Sequence, residues 1–212
     1  MKTNRSCAIS IAIVLAVASA SLAGTRADLS GDAVVDFQTT MDMPLMTVGN
    51  VGNADDTHGE GFGGVGYTYN IGKFEVTAGQ YTEFLNAVAA TDTYALYNAS
   101  MWSQTYGCKI ERYGSSGSYS YSVSVDRADR PVSYVSWGDA ARFTNWLTNG
   151  TPTGMQGLAT TEDGSYFLNG AMTNAELMAV TREEDARYVI PSEDEWHKAA
   201  FYDSTLNGGS GG

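Results

Sequence analysis

The sequence predicts an α+β domain with few regular elements. Three observations carry this. Three segments join a helix-capping box to apolar residues at helical spacing, and a short extended segment leads into each. One run alternates strictly with period two. The connectors between them are long, in a chain with 24 glycines.

The first helix is predicted from Thr77-Ala78-Gly79-Gln80, a capping box, followed by Tyr81, Phe84, Leu85 and Val88 at i, i+3, i+4 and i+7. Ser136-Trp137-Gly138-Asp139 resembles the same box with Asp in the acceptor position, and Ala140, Phe143, Trp146 and Leu147 continue the stripe. Ser192-Glu193-Asp194-Glu195 is the third, with Trp196, Ala199, Ala200 and Phe201 as its apolar side. The extended leads are 71–76, 131–135 and 187–190. The spacings and the intervening segments differ, so this is not a repeat architecture. Strands are expected at 65–71 and at Ser118–Val125, where Ser alternates with Tyr or Val. An Asp163-Gly164 turn inside 159–168 reads as a hairpin. Trp137, Trp146 and Trp196 are expected in the core. Residues 206–212 form a Gly-rich stop.

Residues 1–27 read as a secretory leader. Lys2 and Arg5 precede an apolar run, Ala8 to Ala18, and small residues follow at three candidate cleavage zones ending at Ala20, Ala23 and Ala27. The run is shorter than the roughly 20 residues a membrane span needs, which disfavours the alternative of an N-terminal anchor. Its removal lowers the formal charge from −12 to −15 and leaves Cys108 as the one thiol. The expected site is therefore exported, periplasmic or extracellular. Residues 28–45 show no clear period and read as an N-terminal lead, with the domain at 46–212. Twelve basic against 24 acidic residues exclude a phosphate-neutralising nucleic-acid surface and disfavour anionic lipid. The 43% hydrophobic content argues for a folded chain.

Candidate chemistry is thin. Asp55, Asp56, His58 and Glu60 share one loop and have the character of hard-cation ligands, or of a solvated acidic surface. Gly59 to Gly64 matches G-x-G-x-x-G, but a strand rather than a helix is expected after it, so it is not a dinucleotide loop. Cys108 can be a reactive thiol, an intermolecular bridge or a buried small hydrophobe, the common fate of lone thiols. His197 with Glu193 and Glu195 does not form a zinc pattern, and packing is the commoner role for such a histidine. The 118–125 tyrosines suit either a carbohydrate platform or an ordinary half-buried strand. Glu75 is expected to hydrogen-bond backbone across the core. Asn98 and Asn149 begin sequons.

Three segments in order resemble one family. They are Tyr69 to Thr77 running on to Gln80-Tyr81 and Phe84-Leu85, then Arg130 to Trp137 with Asp139-Ala140-Ala141 and Trp146-Leu147, then Ile190 to Ala200. Together they resemble the formylglycine-generating enzyme, or sulfatase-modifying factor, domain, in the form found in exported bacterial members. The resemblance implies an irregular, C-type-lectin-like fold. It also implies oxidation of a substrate cysteine to formylglycine, with copper on a cysteine pair, calcium sites, and a sulfatase-like partner. In the family the cysteine pair and calcium sites lie beyond the segment corresponding to Tyr202. The chain therefore reads as a domain incomplete at its C-terminal end and inactive as it stands. No catalytic, cofactor-binding or metal residue is assigned. The alternative is a non-catalytic binding or surface-structural domain on the same scaffold, with a glycan as its ligand.

Overall fold

The computed structural model describes residues 16–17, 41–57 and 61–203. His58, Glu60, the candidate cleavage zones and the Gly-rich stop lie outside the described residues. The architecture is α+β, with two small antiparallel sheets, five α-helices and a 3-10 turn among the described residues. None of these helices is long and apolar enough to cross a membrane.

The larger sheet has the order β2-β3-β1-β6. Strand β1 (Ala16–Val17) lies between β3 (Tyr69–Gly72) and β6 (Tyr188–Val189), antiparallel to both, with Ala16 opposite Ile71 and Val189. Strand β2 (Leu45–Val48) flanks β3 in the register Leu45↔Gly72 to Val48↔Tyr69. The expected strand at 65–71 thus starts later, at Tyr69. The lead is packed from Met41, which is buried in the core, and Asp42 O accepts from the Gln80 side chain at 2.8 Å.

Helix α1 (Ala78–Val88) and helix α3 (Trp137–Thr148) form the main core. Both begin with the expected reciprocal box, Thr77 with Gln80 and Ser136 with Asp139. Each such cap satisfies free N–H groups and contributes about 1 kcal/mol. The two leads pair with each other: Val132 N–H donates to Val76 O at 2.9 Å, beside a Thr77↔Pro131 bridge. This brings the helix starts together and packs the stripes face to face. Phe84 meets Phe143 edge-on, with centroids 5.3 Å apart, and Trp146 at 5.2 Å. Tyr81, Phe84, Leu85, Phe143 and Trp146 are all essentially inaccessible. Each such side chain contributes roughly 1.5–3 kcal/mol by leaving water.

The Ser/Tyr run forms β5 (Ser120–Val123), paired with β4 (Ile110–Tyr113) as a hairpin. Asn86 of α1 clamps it, its amide group exchanging two 2.9 Å bonds with the backbone of Tyr121. Two short helices were not foreseen. They are α2 (Ser100–Ser103) and α4 (Asn174–Met178), the latter opened by a further capping box, Thr173 with Glu176.

The hairpin expected at 159–168 does not form. Side chains of α3 take the place of a pairing strand. Asn145 donates to Thr161 O and Tyr166 O and accepts from Tyr166 N–H. Arg142 makes a two-pronged pair with Glu162, at 2.7 and 2.9 Å, with both side chains 2% exposed. Once a helix satisfies these backbone groups, no strand ladder is needed.

Candidate functional site

Helix α5 (Glu193–Phe201) opens with the expected box, Ser192 with Glu195. Its orientation departs from expectation. Trp196 is 43% exposed and Phe201 52%, and Ala199 and Ala200 are also exposed, whereas Glu195 and Lys198 are buried. The expectation of Trp196 in the core is therefore corrected.

The cause is a set of partners on the charged side. Glu195 Oε2 accepts from Ser192 N–H and from Arg182, and Oε1 accepts from Arg182 and from Tyr67 Oη at 2.6 Å. Burial by itself would raise the Glu195 carboxyl, but these bonds outweigh it and hold it below its ordinary value. Burial, reinforced by the bond to Glu195, pushes Tyr67 up to about 12. Lys198 Nζ donates to Asn50 O at 3.0 Å and Val65 O at 3.4 Å, and burial lowers its pKa. Tyr69 Oη donates to Glu195 O, which ties β3 to the same helix.

The acidic loop closes on the same helix. Asp55 accepts from Gly64 N–H at 2.8 Å, Asp194 accepts from Gly63 N–H at 3.0 Å, and Asp56 lies 3.0 Å from His197 Nε2. Gly63 sits at φ +101, and a Cβ there would lie 3.0 Å from His197 Nδ1. A Cβ at Gly64 would strike the Asp55 carboxylate at 2.3 Å. The glycines of this run therefore permit close packing of loop on helix, and β3 follows them. The space beside the His197–Asp56 pair is about 10 Å³. That holds one water at most, so the pair is a clamp with no room for a substrate.

The other candidates are also absorbed by structure. Cys108 is 3% exposed, its N–H donates to Ser133 Oγ at 3.1 Å, and it belongs to the main core. Tyr121 is buried, and Tyr119 lies against the Arg112 guanidinium, 4.3 Å from ring centroid to Cζ, so these two rings face inward. Glu75 is half-buried and, among the described residues, makes no hydrogen bond across the core, contrary to expectation. It lines a cavity of about 660 Å³ together with Phe74, Gln80 and Asp129. The Asn149 amide donates to Thr160 O and Asp163 O, so that sequon serves the loop. Arg182 and Tyr67 escaped the sequence argument. The available signal was a buried-type acid at a cap with an arginine 13 residues earlier, which is common in chains of any fold.

The outward face of α5 is one wall of an open groove of about 750 Å³. Met46 and Val48 of β2 and Ile71 of β3 form the opposite wall, and Trp196, Ala199 and Tyr202 the helix side. This groove is the candidate functional surface.

The copper and calcium implied by the resemblance do not fit the described residues. A Cu(I) site of that kind needs two soft thiolates. Among the described residues Cys108 is the one thiol, and it is packed in the core. Among the described residues no group of three or more His, Cys, Asp or Glu is placed to hold a metal ion, and Asp55 and Asp56 are already engaged.

All three resembling segments map onto the described fold: β3 with α1, the 131–135 lead with α3, and β6 with α5. Comparison with curated proteins and with solved structures returns no match. The family model for the sulfatase-modifying factor enzyme 1-like domain matches residues 63–209, about two thirds of the chain, and the chain belongs to that family.

Proposed function

We propose that the chain is an exported sulfatase-modifying-factor-like domain on a C-type-lectin-like scaffold, and that with the residues it carries it does not itself oxidise cysteine. The leader at 1–27 supports export, to the periplasm or the medium. The activity implied by the family resemblance is conversion of a substrate cysteine to formylglycine. The observation that carries the reading of inactivity is Cys108, 3% exposed and built into the aromatic core beside α1 and α3. A nucleophile or metal ligand must be reachable by substrate or metal, and a thiol packed into the core is not. The test is to incubate the exported protein with Cu(I), oxygen and a cysteine-containing peptide, and to assay for aldehyde by mass spectrometry. No aldehyde above a copper-only control is expected. Aldehyde above that control would reject this reading, and its loss in Cys108→Ser would make Cys108 the reacting group.

The groove favours a second role, recognition of a sulfatase-like polypeptide. Exposed Trp196 and Phe201 pack edge-on at 5.7 Å beside it. Aromatic rings held this way supply contact area at low entropic cost. Titration with a cysteine-containing sulfatase peptide should change Trp fluorescence in the parent and not in Trp196→Ala. A glycan array offers the competing ligand class. Glycan binding without peptide binding would replace this role.

A further inference from the structure

Strand β1 poses a conflict between sequence and fold. Ala16–Val17 is bonded on both sides within the larger sheet. The same two residues lie in the apolar run of the leader, N-terminal to all three cleavage zones. Any of those cuts therefore removes β1. The strands on either side, β3 and β6, are each bonded to β1 and not to each other. Neighbouring strands lie about 4.8 Å apart, so removal leaves two walls about 9.6 Å apart.

The walls are anchored from behind. β3 is held by its ladder with β2 and by the Tyr69 bond to Glu195 O. β6 is held by Tyr188 N–H to Thr148 Oγ1 at 3.3 Å, and the following Ile190 N–H donates to Tyr166 Oη at 3.1 Å. Tyr69, Ile71 and Val189 are buried in the second core cluster. Closing the gap would require repacking that cluster. Leaving it open would strand backbone donors and acceptors beside the core. An extended segment resolves both problems through main-chain bonds alone.

We propose that the processed protein carries a strand-acceptor slot between β3 and β6, filled by the leader in the precursor and by an extended apolar segment of a partner polypeptide after export. Pairing antiparallel to both walls requires backbone N–H groups, so the segment has no proline at its centre. The wall residues Ile71 and Val189 are apolar and buried, which selects an apolar segment. The charge of −14 or −15 on the processed chain, according to the cut, favours basic flanks. The proposal rests on removal of the leader and does not depend on whether the chain oxidises cysteine.

The test uses the whole gene product, exported from a host and identified at its N-terminus by mass spectrometry. A precursor with the cleavage zones blocked (A20L, A23L and A27L together) is the reference. The probe is a synthetic peptide of residues 10–18 with two lysines appended at each end, and its control carries Val17→Pro. The backbone amides of β3 and β6 that face β1 should exchange slowly in the blocked precursor. They should exchange at least 100-fold faster in the processed protein, and slow again when the peptide is added. The proline peptide should bind at least 10-fold more weakly. The proposal is overturned by failure of the peptide to bind, by equal binding of the proline control, or by amides already protected without peptide. If the processed chain alone shows no cooperative unfolding, recovery of a transition on adding the peptide supports the slot, and no recovery overturns it. A leader found intact by mass spectrometry overturns the export reading separately, and with it the slot, since β1 is then a permanent strand.

Discussion

Helices α1 and α5 begin with the same capping box and carry apolar residues at three- and four-residue spacing, yet α1 buries that side and α5 turns it outward. In α1, Tyr81, Phe84, Leu85 and Val88 meet the matching stripe of α3, and Glu83 points to solvent. In α5, Glu195 and Lys198 face Arg182, Tyr67 and two loop carbonyls, all of which need partners. A periodic stripe thus identifies a face of a helix without saying where that face goes. The apolar gain of burying the stripe is non-directional, while a polar group that is buried must be matched atom by atom. Where the surrounding loops already offer those matches, the charged side docks.

The comparison is broken most directly at the aromatics. Phe84→Ala should cost about 3–5 kcal/mol in urea unfolding, because it empties the centre of the α1–α3 contact. Trp196→Ala, a larger truncation on the corresponding but exposed side of α5, should cost within about 0.5 kcal/mol. Comparable losses at the two sites would mean that α5 is covered in solution.

Next come the buried charges. Glu195→Gln should cost about 2 kcal/mol, since Arg182 and Tyr67 lose a charged partner while Arg182 keeps some access to water. Glu83→Gln on α1 should be neutral. A neutral Glu195→Gln would show that packing alone seats α5. The caps should make the helices alike again: Thr77→Ala and Ser192→Ala should each cost about 1 kcal/mol, read as a shift in urea midpoint at constant slope.

The smallest effect is in pH. Burial, only partly offset by bonds from Ser136, raises Asp139 to about 6. Its folded value lies above the unfolded one, so the ionised form is disfavoured in the fold and stability rises as pH falls from above 6 towards about 4. Glu195 has the opposite sign. Its carboxyl is lowered by folding, so its contribution is present above about pH 4.3 and is lost as pH falls through its folded value. Stability measured against pH should lose the first limb in Asp139→Asn and the second in Glu195→Gln. An unchanged profile in Asp139→Asn would remove that residue from the account.

Much of the framework was readable along the chain. The boxes at Thr77, Ser136 and Ser192 start the three longest helices, because a cap is a local bargain between residues three apart. The further box at Thr173 went unread because α4 has five residues and no stripe to accompany it. The 159–168 segment misleads because its Asp-Gly turn is local, whereas its partners are Arg142 and Asn145 on the helix before it and Asn149 at that helix's C-terminal cap. The acidic loop has the look of a ligand set because nothing nearby in sequence shows that distant His197 would pair with Asp56 and that the Gly64 amide would fold back onto Asp55.

By itself the sequence determined the class of fold, the places where the three longer helices begin, and the family, since capping, periodicity and motif order are written within a few residues of one another. The tertiary structure alone decided that α5 docks by its charges, that Cys108 is core, that the acidic loop is a clamp, and that Ala16–Val17 stands between β3 and β6 in a sheet. Each of these depends on which distant groups need a partner, and only the assembled chain brings those groups within bonding distance.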